Sequence, residues 1–343
     1  MKNARAFPAE WYPQSGVQLT WPHAQTDWQS TLDQVIPCYQ RIAYEISLRQ
    51  KLLIVCPNIN EIKEYLIHCD PANVIYCEIP TNDTWARDHS GLTVLDDGQP
   101  VLLGFQFNGW GLKFAADLDN QITRQLYEQQ VLSPTVGYES RKNFVLEGGS
   151  LESDGEGSLL TTEACLLSRN RNEHLAKEQI SKYLQETLGV KRILWLKNGY
   201  LAGDDTDSHI DTLARFCNPR TIAYVQCTDP DDEHYEALAK MELELQQFRT
   251  KADESYQLLP LPMADAMYDR DGNRLPVTYA NFLIMNEVVL LPFYGLPQDE
   301  PAREVLQQAF PSRVIIGISC EALVQQHGSL HCITMQYPKG TIT

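Results

Sequence analysis

Short apolar segments of strand length alternate with amphipathic helical stretches from one end of the chain to the other. This alternation restricts the fold to a mixed α/β class. Strands are expected at 51–56, 74–79, 101–107, 158–162, 192–196, 221–227, 281–285, 288–292 and 313–318, and helices at 28–49, 61–68, 117–129, 177–188, 232–252 and 302–309. Residues 281–292 read as a hairpin that turns at Met285, Asn286 and Glu287. Two strands followed by a helix return at intervals of roughly 60–70 residues, which points to an internally repeated unit. No Pro/Gly/Ser-rich linker divides the 343 residues, so one domain over 1–343 is expected.

Charge narrows the partners. The net charge is −17, from 28 basic and 45 acidic residues. Nucleic-acid affinity rests largely on basic contacts, so a nucleic-acid partner is not expected. The charge suits a cationic ligand, although solubility alone is the plainer reading. No apolar run approaches the roughly 20 residues that span a bilayer. The opening MKNARAFPAEWYPQSG has no apolar core or cleavage signal, so a cytoplasmic protein without a membrane partner is expected. The nine cysteines form no CxxC pair, and Cys56 and Cys227 fall in apolar strand-like runs, as small buried hydrophobes do in a reducing compartment. No glycine-rich phosphate loop follows a strand, which leaves nucleotide binding without support.

Four short segments carry the candidate chemistry: NDTWARDHS (82–90), NFVLEGGSL (143–151), GDDTDSHIDTLARF (203–216) and GSLHCITMQYP (328–338). Cys332 offers a nucleophile, and His209 a proton donor and acceptor. Asp88, Asp211 and Glu147 supply carboxylates. If SHID is a strand, His209 and Asp211 share a face; a surface pair is the plain alternative. Asp204, Asp205 and Asp207 read as turn or solvent-facing acids. Trp85, Trp110 and Trp21 are candidate walls for the stem of a cationic ligand, or else core. A thiolate beside several anions is unfavourable unless its substrate is itself a cation, which makes a guanidinium the natural target. A cysteine protease would share the Cys and His, but it needs an oxyanion hole rather than a cation clamp.

The set NDTWARD, FNGWGLKF, NFVLEGGSLESDGEGSLLTTEACLLSRNRN, GDDTDSHIDTLARF, LPVTYANFLIMNEVVLLPFYG and GSLHCITMQYP resembles the agmatine deiminase family, also called the bacterial-type peptidylarginine deiminase family. The likeness starts at PAEWYPQSGVQLTWP and runs to the final strand. It implies a pentein fold, a five-bladed α/β propeller of ββαβ units, whose chemistry uses no metal or organic cofactor. It also implies Cys332 as nucleophile, His209 as general acid/base, Glu147 as the carboxylate that hydrogen-bonds this histidine, and Asp88 and Asp211 as the guanidinium clamp. Hydrolysis of agmatine to N-carbamoylputrescine and ammonia, a step of putrescine biosynthesis, is the expected reaction, because FNGWGLK carries no arginine for a substrate carboxylate. Arginine residues in peptides are the rival substrate. A non-catalytic pentein binding protein is the alternative of another class. Family members often form homodimers. His89, Met335 and Leu112–Lys113 depart from the family's usual residues.

Overall fold

The computed structural model describes residues 5–343, so Met1–Ala4 of the opening segment lie outside the described residues. The strands form five sheets of three or four strands each. One pairing scheme recurs in all five. An inner strand runs antiparallel to a middle strand, and a helix then returns the chain to an outer strand parallel to the middle one. Leu92–Asp96, Gln99–Gln106, the helix Asp119–Glu128 and Gly137–Val145 make one such unit. Glu152–Ser153, Ser158–Thr162, Lys177–Leu188 and Arg192–Leu196 make the next. Ala214–Asn218, Thr221–Gln226, Tyr235–Gln247 and Gln257–Pro262 follow, and then Leu283–Ile284, Val288–Phe293, Asp299–Ala309 and Val314–Ser319.

The fifth sheet is assembled from both ends of the chain. Thr334–Pro338 is antiparallel to Gln14–Thr20, which runs parallel to Lys51–Cys56 after the helix Leu32–Ser47. Pairing the last strand with an early one fixes the C-terminal segment, and Cys332 with it, against the first unit.

The local sequence explains these elements. Middle strands are packed on both faces and read as continuous apolar runs, as in Thr221–Gln226, of which only Gln226 is not buried. The helix Leu32–Ser47 buries Val35, Cys38, Tyr39, Ile42, Ala43 and Ile46, a stripe at helical spacing. Lys177–Leu188 buries Ile180, Leu184 and Leu188 and stops at Gly189, whose φ of 75° suits the left-handed cap. Several elements are shorter than their patterns suggested. Residues 61–68 split into a helical turn Ile59–Ile62 and a 3-10 turn Lys63–Leu66. The strand expected over 281–285 shrinks to Leu283–Ile284, because Asn281 is used elsewhere, as described below.

Where the units meet, the centre is polar. Arg215 is fully buried; Nη1 donates to the carbonyls of Ala280 (3.1 Å) and Phe282 (2.7 Å), Nη2 to Glu10 (2.9 Å) and Nε to Glu152. Glu10 also accepts from the backbone N–H of Ile284 at 2.6 Å and pairs with His331 at 2.7 Å. The network thus joins residues from separate units through desolvated charge-assisted bonds. Removing one member weakens the rest: Arg215→Met takes from Glu152 its guanidinium partner and leaves Glu10 only His331, the Ile284 N–H and the more distant Arg87 (3.7 Å), and should cost about 3–5 kcal/mol of stability. Denaturant titration would show this as a lowered midpoint; an unchanged midpoint would mean that Arg215 does not hold the units together.

Candidate active site

Gly149 shows how closely the site is drawn together. A Cβ at this position would lie 2.6 Å from His209 Nδ1, 2.8 Å from Asp88 Oδ1 and 3.1 Å from Asp211 Oδ2. Three side chains from two segments, 82–90 and 203–216, therefore crowd one backbone position of a third, which only glycine can occupy. Its own N–H donates to Asp88 Oδ1 at 3.0 Å.

Asp88 sits in a single helical turn, Ala86–His89. Trp110 Nε1 donates to its Oδ2 at 2.9 Å, and His209 Nδ1 stands 3.5 Å from its Oδ1. Burial pushes the Asp88 carboxyl up, His209 draws it down and Asp211 raises it again, leaving it at about 6. Asp211 is fully buried; its Oδ2 bonds His331 Nδ1 at 2.7 Å, and its Oδ1 has no partner among the described residues. Burial opposes its ionisation, yet the bonded His331 holds it below the ordinary carboxylate range.

His209 does not lie on a strand. It precedes a 3-10 turn, Ile210–Thr212, and follows Asp207 and Ser208, whose φ angles are 66° and 64°. The polar run GDDTDS is spent on this turn: Asp204 accepts from the N–H groups of Thr206 and Ser208. Burial works against charging His209, but Asp88, Cys165 and Glu147 outweigh it and lift the imidazole to about 10. It is therefore an imidazolium at neutral pH.

Glu147 stands beside His209, but its hydrogen bonds go elsewhere. Both its oxygens accept from Arg171 Nε at 3.0 Å. Glu147, Cys165 and one His209 nitrogen lie within 4.8 Å of one another, as do Glu10, Glu152 and His331. These are the groups whose atoms could meet a metal ion. In both, the carboxylates already accept from a buried guanidinium, Arg171 or Arg215.

Cys332 follows the turn that starts at Gly328. A Cβ on Gly328 would lie 2.1 Å from the Trp85 ring, so glycine lets the indole pack directly against this turn. Asn281 Oδ1 accepts from the Cys332 backbone N–H (3.3 Å), its Sγ (3.4 Å) and the His331 N–H (2.9 Å). Burial, then Asp211 and Asp88, push the Cys332 thiol well above its ordinary range. Cys332, Asp88, Trp85 and Trp110 line a cavity of about 220 Å³ whose other walls include Phe114, Asp27, Asp83, Asp204, Asp205 and Thr212. Asp83 is pushed up to about 6, first by burial and then by Asp27.

Trp21 is a correction. It packs in the core, edge-on to Tyr39 at 5.4 Å and stacked on Tyr65 at 6.1 Å, and does not line the cavity. It follows the strand Gln14–Thr20 directly and is buried with that strand's apolar side chains. Asp204 and Asp205, expected as turn or solvent acids, are cavity walls as well. Asn281, Arg171, His331 and Glu10 were not anticipated. His331 alone had a signal, its place next to Cys332; the others are lone polar residues whose partners are remote in sequence.

The chain's likeness to known proteins agrees with this geometry. The sequence profile described as Porphyromonas-type peptidyl-arginine deiminase matches residues 6–338. An agmatine deiminase of Pseudomonas aeruginosa is 31% identical, over 97% of this chain and 95% of its own. Among solved structures, a Porphyromonas gingivalis protein provisionally named an arginine deiminase superposes with a TM-score of 0.94 at 52% identity, covering 99% of this chain and 100% of the other. A C. jejuni agmatine deiminase with substrate bound superposes with a TM-score of 0.92 at 38% identity, covering 98% and 97%. The chain belongs to the Porphyromonas-type peptidyl-arginine deiminase family, hydrolases of the C–N bonds of linear amidines.

Proposed function

We propose that the protein hydrolyses agmatine to N-carbamoylputrescine and ammonia through a covalent intermediate on Cys332. The observation that carries this reading is the charge of the cavity. Five aspartates, Asp27, Asp83, Asp88, Asp204 and Asp205, line it, and among the described residues no arginine or lysine does. Such walls suit a ligand that is cationic at both ends and offer no arginine or lysine to a free α-carboxylate. Lys113, the one basic residue of the 107–114 loop, is tied to the Asp205 carbonyl (2.6 Å) and Asp207 Oδ1 (2.7 Å).

The five sheets are read as the blades of one pentein propeller, a single domain over 1–343 with the reaction at its centre. Asp88 and Asp211 Oδ1 would accept from the guanidinium N–H groups and hold its carbon toward the sulfur. Trp85 and Trp110 flank the stem. At rest the cysteine is a neutral thiol and His209 an imidazolium. A bound guanidinium offsets the two carboxylates that keep the thiol protonated, so substrate binding favours loss of its proton to solvent. The thiolate then adds to the guanidinium carbon. His209 gives its proton to the leaving nitrogen, the C–N bond breaks, and ammonia departs from an S-alkylthiouronium. Neutral His209 next takes a proton from water as the hydroxyl adds to the same carbon. The C–S bond breaks and the hydroxyl proton passes to the departing sulfur, leaving a urea, an imidazolium and the neutral Cys332 thiol.

Arginyl peptides are the second reading, favoured by the family's own description. Ammonia release from agmatine, arginine and a blocked arginyl peptide separates the two. The cavity's charge predicts the highest kcat/KM for agmatine; preference for the peptide would overturn that assignment while leaving the guanidine chemistry in place.

A pH profile tests the clamp. With its carboxyl raised to about 6, Asp88 is ionised above that pH and protonated below it. We expect kcat/KM for agmatine to rise with pH through neutrality, because the resting thiol must ionise, and to gain a steeper limb, by a further factor of about ten per unit, on the acid side of this value. In Asp88→Asn the remaining activity should be lower by orders of magnitude and lack that limb. An unchanged limb in the variant would show that another group sets it.

A further inference from the structure

We propose that Arg171 is a positioning residue for the acid/base histidine, holding Glu147 behind the imidazole and the 206–208 turn in front of it. The inference rests on the reading of His209 as the acid/base group. It goes beyond that reading in naming what sets the histidine's place and charge.

Arg171 is fully desolvated at its side chain and its guanidinium nitrogens are all taken up by protein groups, so it is not placed to touch substrate. Its guanidinium is nevertheless engaged on three sides. Nε donates to both oxygens of Glu147, Nη1 to Asp207 Oδ2 (2.6 Å) and Ser168 Oγ (2.7 Å), and Nη2 to the Thr206 carbonyl (2.9 Å). Thr206 Oγ1 in turn accepts from the His209 backbone N–H at 3.0 Å. One planar cation thus fixes the carboxylate beside the ring and the turn that aims the ring. Asp207 and Ser208 keep left-handed backbone there, which a turn holds only when its surroundings enforce it. A Cβ on Gly111 would lie 3.6 Å from Arg171 Nη1, so the loop carrying Trp110 packs directly over the same guanidinium.

The charge consequence follows from who faces His209. Asp88 is 3.5 Å away, Glu147 and Cys165 are within 4.8 Å, and Asp211 shares the Gly149 contact. All of these favour the imidazolium. The histidine must also lose its proton and act as a base in the second half of the reaction. Arg171 is the cation that counters Glu147, while Asp207, on its other side, partly counters Arg171. Deleting Arg171 should therefore make His209 harder to deprotonate, and deleting Asp207 should make it easier.

The test uses Arg171→Gln, Arg171→Lys and Asp207→Asn in the full chain, with asparagine chosen because it tolerates the positive φ at 207. The imidazole titration of His209 is followed by NMR on the histidine-labelled protein without substrate, and kcat and KM for agmatine are measured separately. We expect the titration midpoint to rise in Arg171→Gln, to fall in Asp207→Asn and to stay near wild type in Arg171→Lys. We expect kcat to fall about 100-fold in Arg171→Gln with KM little changed, and part of that loss to be restored by lysine. Unmoved midpoints, shifts of the same sign in the two charge deletions, or a rise in KM alone would overturn the proposal. Activity losses that track only the folded fraction would reduce Arg171 to a structural ion pair. Should Arg171→Gln not fold, the opposite shift in Asp207→Asn still decides. Absence of turnover in the wild type would count against the agmatine reading, while the substrate-free midpoints would still report on Arg171.

Discussion

The constraint on which the site depends is a sulfur walled in by carboxylates. Cys332 is buried, and Asp88 and Asp211 both stand close enough to hold its proton on. By the usual logic of thiol catalysis this is the wrong environment, because nucleophilic cysteines sit near positive charge. In the mechanism proposed above, the arrangement becomes productive when the missing positive charge is the substrate. A guanidinium would complete the electrostatics, with its carbon the atom attacked. Selectivity and activation would then have one source: a neutral or anionic molecule would leave the thiol protonated and unreactive. The same acids would keep the resting thiol from alkylating or oxidising freely.

Such a concentration of buried acid needs compensation, and the scaffold supplies it from behind. Arg215 and Arg87 face Glu10 and Glu152 at the meeting point of the units, and His331 bridges Glu10 to Asp211. Arg171 answers Glu147 and Asp207. Each cation is turned away from the cavity. Asp211 stays below the ordinary carboxylate range despite complete burial because His331 bonds it, whereas burial, with Asp211 close by, raises Asp88 even though His209 faces it. Closing the last strand onto Gln14–Thr20 brings His331 and Cys332 to the same centre, which ties catalytic geometry to the docking of the chain's two ends.

Much of this was legible in the sequence. Lys51–Cys56, Ser158–Thr162, Arg192–Leu196 and the helix Lys177–Leu188 fall where their periodicity placed them, because continuous apolar runs and a helical stripe encode burial directly. Cys332, His209, Asp88, Asp211 and Glu147 were all picked out, and the structure brings them together, Cys332 and Asp88 on the cavity wall and His209, Asp211 and Glu147 behind it. What failed was whatever depends on partners distant in sequence. The spacing of SHID fits a strand, yet positive φ at 207 and 208 makes it a turn. Trp21 and Trp85 look equally suited to a ligand wall; only packing sends one into the core. Glu147 was paired with the histidine, whereas a buried arginine two dozen residues onward claims its oxygens. Asn281, whose Oδ1 accepts from Cys332 and His331, sits at the start of an apolar run and shows no local pattern at all.

The claim that a thiolate forms a bond to the guanidinium carbon can be met directly. The protein is mixed with agmatine, quenched in acid within a turnover, and its mass and peptides are measured. The account predicts a species heavier by agmatine less one ammonia, with the added mass on the peptide bearing Cys332 and absent in Cys332→Ala. Full turnover by Cys332→Ala, or an adduct mapped to any of the other eight cysteines, would contradict it.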